Sequence, residues 1–166
     1  MTGVSVWETG GGSPLDVLEQ VVTANDWAFD RPNDEELAVQ LPGQWCDLNV
    51  FIAWEEALST LQLTVNLQMR APAGKRSAVC ELLALINEKV WMGHFSIWRE
   101  EGLIVFRHAL PMRGRLGPSP AQMEDLVRNA IDECERFYPA FQFVVWGGKA
   151  PDEAMAAAMF DTVGEA

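Results

Sequence analysis

The sequence predicts an α+β domain in which helices cover one face of a five-stranded antiparallel sheet. Three short segments alternate strictly between apolar and polar residues, as half-buried strands do. The segments around them carry apolar residues at helical spacing. Helices interleaved with antiparallel strands are typical of a two-layer α+β architecture. The predicted order is α-β-β-β-α-β-β-α-α, with a three-strand meander, a hairpin and helices on one face of the sheet.

The N-terminal residues 1–12 end in three consecutive glycines, which predict a flexible arm ahead of a single domain at residues 13–166. Trp7 stands out in this arm, because an indole is expected to pack against something. The first helix has a clear start. Ser13 is a favourable N-cap, and Pro14 suits the first helical turn.

The meander is predicted from its alternation, and its register from its turns. A two-residue turn at Pro42-Gly43 would place Leu37 opposite Leu48, and an equally short second turn would place Ile52 opposite Leu61. Any other even loop length keeps the same side chains on the same face. The three predicted strands lie within residues 36–41, 47–54 and 60–69.

The second half of the chain continues with a helix, a hairpin and two more helices. Pro139 must kink or restart the long helix that begins at Ser119. Residues 141–146 fit either a buried strand or a continuation of that helix. The predicted elements are a helix at about 74–92, a hairpin of 94–99 and 103–110, a helix from about 119 and a short helix from 151.

Charge and hydropathy exclude two classes of partner. The chain carries 24 acidic and 12 basic residues, a formal net charge of −12, which repels nucleic acid and anionic lipid at long range. No apolar run approaches the roughly 20 residues that a membrane span needs. The N-terminus also lacks the basic start and apolar stretch of a signal peptide. We therefore expect a cytoplasmic protein that binds neither nucleic acid nor a membrane.

The histidines and cysteines predict no metal or cofactor. Alternation along the hairpin places His94 and His108 on opposite faces, so they cannot share a metal ion. His108 is expected to be a core histidine with one nitrogen hydrogen-bonded. Cys46, Cys80 and Cys134 are far apart in sequence and are expected to be three buried, reduced thiols.

The most cationic stretch runs from Arg107 to Arg115 and includes Arg113. Its arginines could bind an anion or an acidic partner segment, or neutralise nearby acids. His94 and Trp98 on the adjacent strand complete the candidate site. This set also supports the alternative function, in which a small-anion-binding protein or an unrecognised enzyme uses His94 and the Arg107–Arg115 loop. No catalytic motif supports an enzyme, and we expect none.

The C-terminal segment is a candidate docking helix. Met155, Met159 and Phe160 form its apolar side, and a helix this short is marginal in water unless it packs on something. It could be a dimer latch, a lid over a partner groove, or a simple cap on the core. On the hairpin, Trp98, Leu103 and Val105 form a partly apolar patch on the uncovered face, which predicts a homodimer.

The second half of the chain resembles the YbjN family of bacterial sensory-transduction regulators. The similarity rests on short groups of residues, namely Leu85-Ile86-Asn87, Gly93-His94-Phe95, Arg107-His108, Phe137-Tyr138-Pro139-Ala140-Phe141, Trp146-Gly147-Gly148-Lys149, and Pro151 with Glu153-Ala154. The resemblance implies a type III secretion chaperone-like fold, commonly dimeric, in which Tyr138 to Trp146 continue the helix. It carries over no catalytic residues. It implies a non-enzymatic regulatory module that binds a protein partner.

Overall fold

The structure, a computed structural model, describes residues 13–113 and 118–164, with the side chains of residues 161–164 excepted. Its helices are α1 (Pro14–Ala24), α2 (Arg76–Asn87), α3 (Pro120–Val145) and α4 (Pro151–Gly164). Its strands are β1 (Ala28–Asp30), β2 (Glu36–Pro42), β3 (Asp47–Glu55), β4 (Thr60–Arg70), β5 (His94–Trp98) and β6 (Leu103–Pro111). Short 3-10 turns at Glu56–Leu58 and Ala73–Lys75 precede β4 and α2. The predicted arm at residues 1–12 lies outside the described residues.

The α+β class and the antiparallel sheet are confirmed, but the prediction of five strands was wrong. The described residues form a six-stranded sheet in the order β1-β2-β3-β4-β6-β5, with every neighbouring pair antiparallel. The additional strand is β1, which pairs with β2 at one edge. It has three residues, all exposed, so its sequence shows no alternation from which a strand could be predicted.

The predicted faces of the meander are correct, and its register is wrong. Leu37 pairs with Ile52 rather than Leu48, and Leu61 pairs with Trp54. Both turns contain four residues instead of two, at 43–46 and 56–59. An even number of added residues shifts the partners without turning a side chain to the other face, which is why the apolar face survives.

One apolar row crosses the whole sheet on the face that the helices cover. Val50, Val65 and Phe106 in its centre are fully buried. Phe95 at one end packs edge-to-face on Phe137 of α3, with ring centroids 5.8 Å apart. The six members, in strand order, are Phe29, Val39, Val50, Val65, Phe106 and Phe95.

The start of α3 follows the prediction, and Pro139 does not end it. Ser119 and Gln122 form a capping box, in which the Gln122 backbone N–H donates to Ser119 Oγ at 3.1 Å. Phe137 and Phe141, on either side of Pro139, both contact the Phe95 ring. Because these buried contacts hold both halves of α3 on the sheet, the helix continues to Val145, as the family resemblance implied.

The helix layer is completed by α4, which packs on α2 and α3. Ala154 and Met155 are buried in this contact. The joint before α4 is closed by two backbone hydrogen bonds, from Gly147 N to Gln142 O at 3.0 Å and from Lys149 N to Phe143 O at 2.8 Å. The end of α2 is earlier than predicted, at Asn87 rather than Met92.

Asn87 ties edge strand β5 to the helix layer through both ends of its amide. Its Nδ2 donates to Phe95 O at 3.1 Å, and Phe95 N donates to Asn87 Oδ1 at 2.8 Å. Both bonds are partly buried, so their loss leaves backbone groups unsatisfied. This contact fixes the strand that carries His94 and Trp98.

We predict that Asn87→Ala lowers the free energy of unfolding by about 2 kcal/mol, because it removes two hydrogen bonds to a partly buried backbone. Urea unfolding followed by circular dichroism measures the change. Asn49→Ala on the opposite sheet face is the matched control and should stay within about 0.5 kcal/mol of the parent. Equal effects of the two substitutions would contradict the role given to Asn87.

Candidate functional site

The sheet face away from the helices, called the outer face here, carries one row of side chains from edge to edge. The row begins with a carboxylate at β1, passes an exposed aromatic ring at β3 and ends with two basic residues at β6 and β5. Phe51 at its centre is 50% exposed. The members, in strand order, are Asp30, Ala38, Phe51, Thr64, Arg107 and His94.

Three of the predicted site residues come together on β5 and β6. His94 pairs directly with Arg107, and Trp98 lies further along β5 on the same outer face. His94 is exposed, Arg107 is half-buried and Trp98 is 42% exposed. Arg70 is also exposed and pairs with Leu103, which pairs in turn with Trp98. The indole thus lies between basic residues, an arrangement we call the Trp98 cluster: Trp98, His94, Arg107 and Arg70.

The other two arginines do not join this cluster within the described residues. Arg113 is exposed in the turn after β6, where the Met112 backbone N–H donates to Ser59 O at 2.8 Å. Six residues of extended chain separate Arg113 from Arg107, about 20 Å. Arg115 lies outside the described residues. The predicted grouping of three arginines is therefore not formed by Arg107 and Arg113.

The predicted wet patch on the hairpin is corrected by the structure. Val105 is fully buried and Leu103 is 6% exposed, although both lie on the outer face. Only Trp98 of the three predicted residues is accessible. Burial on this face depends on how neighbouring side chains lie over a strand, and strand alternation carries no information about that.

The two histidines lie on opposite faces, as predicted. His108 pairs with Leu63 on the helix-covered face and is half-buried. Its Nδ1 is buried without a hydrogen-bond partner in the described part of the chain, so the expectation of a satisfied nitrogen was wrong. Desolvation lowers the pKa of His108 below 6.5, and the charge of His94 adds to this effect.

The cysteines differ in exposure, which corrects the prediction of three buried thiols. Cys134 is buried and Cys46 is half-buried, but Cys80 is exposed on α2. Burial raises the pKa of Cys134 well above its ordinary value and raises that of Cys46. Such thiols are protonated and unreactive near neutral pH. In residues 13–113 and 118–164, no three metal-ligating side chains lie close enough to hold an ion.

A contact between the first meander turn and α3 was not foreseen. The Gln44 backbone N–H donates to Glu135 Oε1 at 3.0 Å, and the Trp45 ring stacks on Tyr138 at 6.4 Å between centroids. Burial and the neighbouring Cys46 thiol raise the pKa of Tyr138 to about 12. This phenol is held as a neutral packing group, which favours a structural role.

An open groove of about 290 Å³ lies at the β1 end of the outer face. It contains neither His94 nor Arg107, which lie at the opposite edge of the sheet. The groove is lined by Ala28, Phe29, Asp30, Ala38, Val39, Gln40, Asn49 and Phe51.

The predicted docking helix is divided by its packing. Met155 is buried against the neighbouring helices, and Met159 is half-buried. Phe160 is 79% exposed. None of the described helices combines the length and the apolar character needed to span a lipid bilayer.

The pKa of His108 makes stability depend on pH. Because the folded pKa lies below 6.5, the unfolded chain binds a proton first as the pH falls. The stabilising contribution is complete above pH 6.5 and is lost below it. We predict that unfolding by urea at pH 7.5 and 5.5 shows a larger loss of stability in the parent than in His108→Gln. The control, His94→Gln, should keep the parental loss; an unchanged loss in His108→Gln would contradict the prediction.

Comparison with known proteins places this chain in a family. Residues 14–143 match the YbjN family, described as "Putative bacterial sensory transduction regulator". A solved structure similar to this chain is that of YbjN from E. coli, described as "a putative transcription regulator", with a TM-score of 0.53 and 15% identity over 73% of this chain and 85% of that chain. At that identity the likeness shows the fold alone.

A weaker similarity is to the HopA1-SchA chaperone-effector complex, with a TM-score of 0.41 and 11% identity over 71% of this chain and 92% of that chain. This TM-score supports no conclusion, so the likeness to type III secretion chaperones stays a prediction. No curated protein matches the chain. Because the family match extends over most of the described domain, from α1 to the last turns of α3, the chain belongs to the YbjN family.

Proposed function

We propose that this chain is a non-catalytic regulatory module of the bacterial cytoplasm that binds a protein partner through the Trp98 cluster. One observation carries the proposal: a 42% exposed indole lies beside a directly paired His94 and Arg107 on a sheet face away from the helices. Exposed tryptophan and arginine are the side chains that dominate protein–protein interfaces.

The cluster is held rigidly before binding. The hairpin keeps His94 opposite Arg107 and Trp98 opposite Leu103, and Asn87 ties β5 to α2. A rigid aromatic anchor loses little conformational entropy when a partner covers it. The surrounding cations favour a partner segment that carries an apolar residue next to carboxylates.

The alternative function, a small-anion-binding protein or an enzyme that uses His94 and Arg107, needs a concave site around them. The open groove lies at the other edge of the sheet and contains neither residue. Arg113 is too far along the chain to close a pocket over Arg107. These distances favour a flat protein-binding surface over a small-molecule site.

The free edge of β5 supports a homodimer. In the described sheet β5 has a strand neighbour on one side only, namely β6. Two copies of β5 related by a two-fold axis can continue the antiparallel sheet, since unpaired edge backbone readily pairs with another chain. In this arrangement the Trp98 clusters of the two copies lie on one continuous surface.

We assign α4 two roles along its length. Met155 caps the protein's own core, whereas Phe160 points away from it and is available to a partner. Met159, which is half-buried, lies between these roles. The C-terminal half of α4 thus acts as a secondary docking element.

The partner surface is tested by capture from native bacterial lysate with the purified chain as bait, followed by quantitative mass spectrometry. We predict that Trp98→Ser weakens partner binding by about 2 kcal/mol or more, roughly thirtyfold, as loss of an aromatic hot spot does. Trp146→Ser is the matched control, because Trp146 is 63% exposed on the helix layer. Phe160→Ser should cause a smaller loss.

Equal capture by the parent and Trp98→Ser, with loss in Trp146→Ser, would contradict the assigned surface. Retention by Phe160→Ser of every partner at parental levels would remove the docking role of α4.

Light scattering tests the dimer. At micromolar concentration we predict a mass of twice the 18.5 kDa of one chain. Replacing Ser96 in the middle of β5 with proline should shift the mass toward one chain, because proline lacks the N–H that edge pairing needs. The matched control is Thr64→Pro→parental comparison by circular dichroism only for fold, and a parental protein of 18.5 kDa would contradict the proposal.

A further inference from the structure

The groove at the β1 end of the outer face is an unusual surface for a protein to leave open. Ala38 lies between Asp30 and Phe51 in the outer row, so its small side chain leaves a hollow beside the Phe51 ring. Phe51 is 50% exposed and Phe29 is 39% exposed. The hollow has about the width of three strands, or roughly 10 Å, which suits one large apolar side chain and its backbone.

The charges of the groove restrict what fits it. Of its eight described lining residues, Asp30 alone carries a formal charge, while Gln40 and Asn49 offer neutral amides. An acidic segment would be repelled by Asp30 and would find no cation here. The groove therefore favours an occupant that is mainly apolar, weakly charged and able to hydrogen-bond through its backbone or an indole N–H.

Residues 1–12 of this chain have that chemistry. The segment contains Val4, Val6 and Trp7, and Glu8 is its one charged side chain. Valine and tryptophan favour extended chain in contact with a sheet. The chain is strongly acidic overall, so a stretch of this length with a single charge is distinct from the rest of its sequence.

The point where this segment joins the domain brings it within reach. Arg31, directly after β1, pairs with Asp16 at 2.7 Å and with Glu19 at 2.6 Å. These ion pairs hold the end of β1 beside the first turns of α1. Ser13 lies one helical turn, about 5 Å, before Asp16. The segment thus enters next to Asp30, at the rim of the groove.

The length of the segment is sufficient. Six residues separate Trp7 from Ser13, and extended chain covers about 20 Å over six residues. The groove begins at the β1 edge and ends at Phe51, about 10 Å further across the sheet. Trp7 can therefore reach any of its lining residues while the chain passes around the free edge of β1.

We propose that residues 1–12 close over the outer-face groove of their own chain, with Trp7 seated between Phe51 and β1. The tether makes this contact intramolecular, with an effective concentration in the millimolar range, so even a weak contact is populated. The Trp98 cluster at the opposite edge stays open. The segment therefore blocks one half of the outer face and restricts partners to the other half.

Amide hydrogen exchange on the full chain tests the proposal. We expect Trp7→Ser to speed exchange of the β1–β2 peptides at least about tenfold, while peptides of α3 exchange as in the parent. Trp91→Ser is the matched control, because Trp91 is 97% exposed. Phe51→Ala should speed the same peptides, and the double variant should add little, since both substitutions break one contact.

A synthetic peptide of residues 1–12, added at millimolar concentration to Trp7→Ser, should restore slow exchange, and a scrambled peptide should not. Identical exchange in the parent and Trp7→Ser would overturn the proposal. Protection in the parent that disappears on dilution would also overturn it, because the groove would then be filled by a second copy of the chain.

Discussion

The apolar row that crosses all six strands is the constraint on which the rest of the structure depends. Val50, Val65 and Phe106 are fully buried in it, and Phe95 brings α3 onto the sheet through ring contacts with Phe137. Burial of each such side chain contributes about 1.5–3 kcal/mol. This row commits the helices to one face. Because successive side chains alternate, it also fixes which residues remain on the outer face.

The outer face inherits its function from that division. Strand pairing, not a loop, sets His94 opposite Arg107 and Trp98 opposite Leu103. A surface built on strands is presented in a single arrangement, so a partner meets it without first ordering it. The same alternation separates His108 from His94 and leaves His108 in a desolvated position, where it serves stability rather than chemistry.

Local patterns were enough to predict the faces of the strands and the start of α3, because period two and a capping box are local properties. Registers were not predictable, since the turn at 43–46 is held by Glu135, which is 91 residues away from Gln44. Strand β1 has too little sequence to show a pattern. The burial of Val105 on the outer face depends on side chains from neighbouring strands.

The central claim is that the outer face at the β5–β6 edge, and not the helix layer, receives the partner. Hydroxyl-radical footprinting of the free chain and of its partner complex measures this directly, since it reports the accessibility of each tryptophan. The account predicts that Trp98 is oxidised in the free chain and protected in the complex, while Trp146 is oxidised equally in both. Protection of Trp146 with unchanged oxidation of Trp98 would contradict it.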